Sequence, residues 1–429
     1  VNRFDAIVLG AGIGGLTAAA LLARAGRSVL LLERGAAPGG VFGSYSPAQG
    51  EHGYRFALSA APLDGLEPGG PLADIAALLR VRFPAERQRP SLRTWLPDRV
   101  VADPGDGRAG LASEISGAVR FWRHQERVAE LRRGNGRSPL LFAHRARTVA
   151  DELRRCRLSD PALLAYIDAQ LVALGLPPAA RCPWLVGSAA LDMPRRGLFI
   201  APGGAQTVAE VLADAFVRDG GELRLRTPAR ELLVESGRAC GVRADDAEYR
   251  APHVVLAAPQ PALLAHALYV AVDAAVAPAD VGCYHRVSLD GAFVALALSP
   301  ARNAMGAPAA QRLVTTTISE GAEGYLGERA ERLLAEAVER VLPGALAGAG
   351  FRHYAEPAAL ARLLDAAPAL LAPSSHVDGV WVASDGGIVN AGTGAAALSG
   401  IAAYEGIQRA LDWSARRREL ALLRRHRAP

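Results

Sequence analysis

Three glycines, Gly10, Gly12 and Gly15, fall at a spacing that lets a chain cradle a phosphate. Gly10 permits a tight turn. Gly12 has no side chain to hold a pyrophosphate off the backbone. Gly15 lets a helix pack close to a strand. Ile13 and Gly14 complete the turn. A helix starting there presents free N–H groups and the positive end of its dipole to an anion. Glu33 is placed to accept a hydrogen bond from a ribose 2′-hydroxyl. The implied chemistry is dinucleotide binding, and these residues alone leave NAD and FAD both open.

The elements around them supply the context. An apolar strand pattern over 4–9 precedes the glycines and a helix pattern over 16–25 follows. A second buried strand, 28–32, ends at Glu33. Such continuous apolar strands suit a parallel sheet covered on both faces. From about 71 to 194 the texture is helical and rich in arginine, with eleven arginines between Arg120 and Arg157. A helix pattern over 207–218 then leads into short strands at 222–226, 229–235, 239–244, 248–250 and 254–258. Further on come a strand at 293–298, a helix at 328–341, a strand at 379–384 and a helix at 395–411.

Composition excludes several chemistries. All 48 basic residues are arginine, against 43 acidic ones, for a net charge of +5. Without lysine there is no Schiff base, lysine general base or P-loop lysine. Cys156, Cys182, Cys240 and Cys283 are scattered and read as buried thiols. No metal-site spacing appears, and the modest charge does not point to nucleic acid. The apolar run 254–276 is broken by Pro259 and Pro261. The first residues read as a strand and glycines, not as a leader, which makes a cytoplasmic location the expectation.

Further motifs carry a family resemblance. The run Glu33-Arg34-Gly35 to Gly39-Gly40 resembles the second glycine motif of the flavoprotein superfamily of amine oxidases and carotenoid desaturases. The residues Val380 to Asp385, with Gly392-Thr393-Gly394, resemble its C-terminal flavin motif. Pro202-Gly203-Gly204, Thr227-Pro228-Ala229 and the run from Gly237 to Val242 are most similar to the phytoene-desaturase branch. The resemblance implies FAD as cofactor, with Gly39, Gly40 and Val41 beside it. It implies that Ala229 meets the adenine, and that Asp385 meets the ribityl–phosphate part. It also implies that Gly392, Thr393, Gly394 and Ala395 aim backbone N–H groups at the flavin N1–O2 edge. The chain departs from the pattern at Val41, where arginine is usual, at Ser384, and at Ala57 to Ser59, where the family often shows Asp and Gly.

The expected fold class is α/β: a Rossmann-type FAD-binding domain with an interleaved α+β substrate domain. The first comprises 1–70, 195–282 and 376–415. The second comprises 71–194 and 283–375, and 416–429 forms a basic tail. A single glycine fingerprint argues against a dedicated NAD(P)H domain. The expected reaction is dehydrogenation of an apolar, isoprenoid-type small molecule by hydride transfer to flavin, with oxygen or a quinone as acceptor. Polyene isomerisation, amine or amino-acid oxidation and a decayed catalyst are the alternatives. The missing lysine weighs against amine oxidation, because amine oxidases of this superfamily commonly place one near the flavin. His52, Tyr54 and Arg55 are weak catalytic candidates. The region 120–157 is expected to touch the inner membrane face through its arginines, whereas the basic tail reads as a solvated face.

Overall fold

The computed structural model describes residues 3–47, 53–103, 110–134, 139–257, 265–300, 307–308, 310–319, 326–357, 377–383 and 392–425. Strand β1 (Ala6–Leu9), helix α1 (Ile13–Arg24) and strand β2 (Val29–Leu32) form the expected βαβ unit. The two strands sit in a five-stranded parallel sheet. Its order is Val380–Val382, Val254–Leu256, β1, β2, Glu222–Arg224.

Every residue of β1 and β2 is buried because the sheet is covered on both sides. Ala6, Val8, Val29 and Leu31 face a helical layer of α1, Gln206–Arg218 and Gly392–Arg425. Ile7, Leu9, Leu30 and Leu32 face the antiparallel meander Ala229–Glu235, Arg238–Ala244 and Glu248–Arg250. The last helix runs on from Gly392 to Arg425, past the expected end at 411.

A second, seven-stranded sheet lies alongside. Its order is Phe351–Ala355, Ala265–Asp273, Gln311–Ser319, Ala292–Leu298, Tyr284–Leu289, Leu92–Trp95, Val100–Asp103. The pairs are antiparallel except that Leu92–Trp95 joins Tyr284–Leu289 in parallel. One face packs on helix Arg329–Val341 through Leu268, Val270, Val294, Leu296 and Val314. The opposite face meets helices Ile115–Gly134, Pro161–Val172 and Trp184–Arg196, and strand Phe56–Ala57. The single apolar run at 254–276 therefore supplies two sheets. Val254–Leu256 enters the parallel one and Ala265–Asp273 the mixed one. No described helix is long and apolar enough to cross a membrane.

Candidate functional site: a glycine cradle and an apolar cleft

The first glycine turn is built as its spacing requires. Gly10 sits at φ +106°, a conformation glycine adopts without strain. Gly12 caps α1, and a Cβ there would meet no heavy atom within 4 Å. Helix α1 has no side-chain cap and no acidic residue in its first turn. Its orphan N–H groups and dipole end are left for an anion. A Cβ on Gly15 would lie 2.2 Å from the Gly10 carbonyl and 2.7 Å from Ala257 Cβ, so this glycine sets the helix–strand distance. Gly14 serves a different contact, because its Cβ would strike the Ala383 carbonyl. Ile13 is buried in the helical layer.

Glu33 closes the mouth of the turn. Its carboxylate accepts from Ala11 N–H at 2.6 Å and from Gly35 N–H at 2.7 Å. The half-buried Arg34 follows it. Gly39 N–H donates to the Ala11 carbonyl, and a Cβ on Gly40 would lie 3.4 Å from Gly12 Cα. The two glycine motifs thus stand backbone to backbone, with Val41 packed against the helical core. Thr227 N–H donates to the Glu33 carbonyl and Arg226 N–H to that of Gly35, which brings the start of strand Ala229–Glu235 to the same end.

Beyond Gly40 the same segment enters a narrow cleft that opens to solvent. Phe42, Gly43, Ala57, Ser59 and Gly203-Gly204 form one side, and Tyr284, Ala297, Leu313 and Thr315 of the mixed sheet form the other. Thr315 Oγ1 donates to the Ala57 carbonyl, and Tyr269 Oη to that of Leu58. Tyr284 Oη donates to the Phe199 carbonyl and accepts from Leu63 N–H. Burial pushes its phenol well up, so it stays protonated at neutral pH.

The three catalytic candidates separate. Arg55 lines the cleft and pairs with Glu210 at 2.5 Å. Tyr54 is buried among Phe56 and Phe351, with its hydroxyl on Gln311 at 3.0 Å. His52 lies outside the described residues, as do Ser384 and Asp385. Among the described residues no group of His, Cys, Asp and Glu could hold a metal ion.

One residue at the site escaped the sequence reading. Asp64 is buried, and its Oδ1 accepts from Gly394 N–H at 2.8 Å and from Thr393 Oγ1 at 3.2 Å. Asp64 N–H donates back to Thr393 Oγ1 at 2.9 Å. Gly392, at φ +86°, is required here, because a Cβ would lie 2.4 Å from Asp64 Oδ1. Ala395 is half-buried one residue on. The hydrogen-bonding partner of Asp64 follows 330 residues later in the chain.

Residues 8–77 match the NAD(P)-binding Rossmann-like domain family. A chloroplastic prolycopene isomerase from Arabidopsis thaliana is 27% identical over 285 residues, covering 59% of this chain and 47% of that enzyme. The chain thus spans about half the length of the curated relatives it matches. The structure of wild-type putrescine oxidase bound to putrescine superposes with TM-score 0.65 and 14% identity, covering 96% of this chain and 99% of that one. Over those 285 residues the chain is similar to the prolycopene isomerases, and it shares the fold of the putrescine oxidase structure. An oxidoreductase from Methanosarcina mazei shares that fold, with TM-score 0.68 and 17% identity over 94% of this chain and all of that one. This agrees with the resemblance to the carotenoid-desaturase branch.

The fold is thus one that binds a flavin or nucleotide. The residues present fit a dinucleotide: an open Cβ position at Gly12, an uncapped α1 and a carboxylate at Glu33.

Proposed function

We propose that the chain is an FAD-dependent oxidoreductase that dehydrogenates an apolar, isoprenoid-type small molecule. The observation that carries this is continuity: Gly39-Gly40 stand against the first glycine turn, and the next residues, Phe42-Gly43, line the apolar cleft. A cofactor with its pyrophosphate over Gly12 has a path to a reactive end in that cleft. FAD supplies hydride acceptance when bound.

The protein's part is binding and positioning. Glu33 holds the ribose end, and α1 neutralises phosphate charge. Small side chains at Ala57, Ala61, Ala201 and Ala297 let a flat apolar substrate approach. Arg55 is the cation of the cleft wall, held there by Glu210. Oxygen or a quinone takes the electrons.

A second reading, isomerisation of a polyene without net redox change, is favoured by the prolycopene isomerase relatives. Anaerobic mixing of flavin-loaded protein with polyenes separates the two. Bleaching of the flavin supports dehydrogenation, and turnover only after prior flavin reduction supports isomerisation. A purified protein that binds no flavin would overturn both.

The protein acts in the cytoplasm at the inner membrane face. The supporting surface is helix Ile115–Gly134 with the neighbouring turn Pro139–His144. Ile115, Val119, Leu140 and Phe142 are 67%, 42%, 56% and 58% exposed. Exposed Arg120, Arg123, Arg127 and Arg145 accompany them. Arg145 stacks over the Phe142 ring at 3.9 Å. Apolar anchors among arginines suit an anionic lipid surface.

A further inference from the structure

Two helices whose starts lie close together, α1 and Gly392–Arg425, are treated differently. Helix α1 begins uncapped, with no acid in its first turn. The helix Gly392–Arg425 begins against a buried carboxylate. Asp64 Oδ1 takes the Gly394 N–H, and a Cβ on Gly394 would lie 2.8 Å from Oδ2. The contact is built tightly from both sides. Gly65 sits at φ +83°, and a Cβ on it would lie 2.9 Å from Gly394 Cα. Thr393 Oγ1 also donates to the Asp64 carbonyl at 2.8 Å.

Around this carboxylate stand Arg196, Glu67 and the Tyr284 phenol. Burial pushes the Asp64 carboxyl up, while the Gly394 N–H, Arg196 and the Thr393 hydroxyl pull it back, and Arg196 is itself paired with Glu67. A carboxylate at a helix N-terminus cancels the positive potential that the helix would offer a second anion.

We propose that Asp64 is a positioning residue that holds down the reduction potential of the bound flavin. It does so by occupying the Gly394 N–H and neutralising the N-terminus of the helix Gly392–Arg425. The inference rests on the FAD reading, in which that helix start faces the flavin N1–O2 edge. Reduction places negative charge on that edge, and preorganised N–H donors would stabilise it. Here one donor is already spent on an acid. A flavin made harder to reduce suits a reaction in which the hydride returns to the substrate, which weighs toward the isomerase reading.

The test uses flavin-loaded protein and the variants Asp64→Asn and Thr393→Val. Asparagine keeps an acceptor for Gly394 N–H and removes the charge. Its potential, measured by equilibration with a reference dye, should rise at unchanged flavin content and thermal stability. Thr393→Val, which removes the hydroxyl's bonds to the Asp64 backbone, should lower stability. Sulfite, which adds to flavins whose N1–O2 edge is electropositive, gives a second readout. Wild type should bind it weakly and Asp64→Asn about tenfold more tightly. A loaded Asp64→Asn with an unshifted potential would overturn the proposal. If that variant fails to fold, tight sulfite binding by wild type overturns it and weak binding supports it. A wild type that takes up no flavin overturns the cofactor reading, and this inference with it.

Discussion

Arg286 and Arg312 are both buried arginines of the mixed sheet, yet their surroundings differ. Arg312 donates to the carbonyls of Ser299, Ala277 and Pro278. Arg286 donates only to the carbonyl of His285 among the described residues, and its Nε has no partner. Burial pushes its guanidinium down to about 10, so it remains charged at neutral pH. A buried cation without a counter-charge costs stability, and Arg286→Met should stabilise the protein by about 1–3 kcal/mol in chemical denaturation. A loss of that size would mean the arginine holds the sheet together. The adjacent His285 accepts from Trp95 Nε1 at 3.1 Å and is pushed down to about 3 by burial. Its unfolded form binds a proton below about pH 6.5 while the folded form does not. Stability should therefore fall as pH drops from about 6.5 to about 3, and His285→Asn should flatten that slope in acid titrations. At this scale the sequence showed Gly10, Gly12, Gly15 and Glu33 plainly, because each is required by a local turn. Asp64 was invisible, because its meaning lies in a partner at the far end of the chain.

Helix α1 shows how one element can separate binding from folding. Gly12 and Gly15 are three residues apart, but an added methyl meets open space at the first and packed backbone at the second. Gly12→Ala should cost under about 1 kcal/mol of apoprotein stability while abolishing flavin retention. Gly15→Ala should cost about 2–3 kcal/mol, because α1 must move away from β1. Thermal melts and flavin absorbance on the same preparations check both, and equal melting losses would refute the distinction. The strands of the parallel sheet and the meander were legible from short apolar runs closed by turns. Within the mixed sheet only the strand at 293–298 was. Gln311–Ser319 carries three consecutive threonines at Thr315 to Thr317, and Ala265–Asp273 is buried over eight of its nine residues. Neither shows the alternation that marks a half-exposed strand.

The whole molecule joins a parallel sheet to a mixed sheet, and the cleft lies between the mixed sheet and the segments 42–61 and 200–205. The arginine count is uneven at this scale as well. Part of it serves internal pairs: Arg147 and Arg155 converge on the buried Glu152. Arg120, Arg123, Arg127 and Arg145 stay exposed beside Ile115 and Phe142. Cosedimentation with phosphatidylglycerol vesicles should be strong at low salt and weaken as salt rises. Ile115→Glu with Phe142→Glu should abolish it without changing the melting temperature. Absence of wild-type binding at low salt would remove the membrane from the proposal. The sequence by itself determined the βαβ unit and its glycine turn, since both rest on backbone conformations and spacings a short segment contains. It also excluded lysine chemistry outright. Only the tertiary structure decided which candidates share a site. Packing turned Tyr54 into the core while leaving Arg55 on the cleft, and it set Asp64 against Gly394. Such pairings depend on contacts between segments hundreds of residues apart, which no local pattern records.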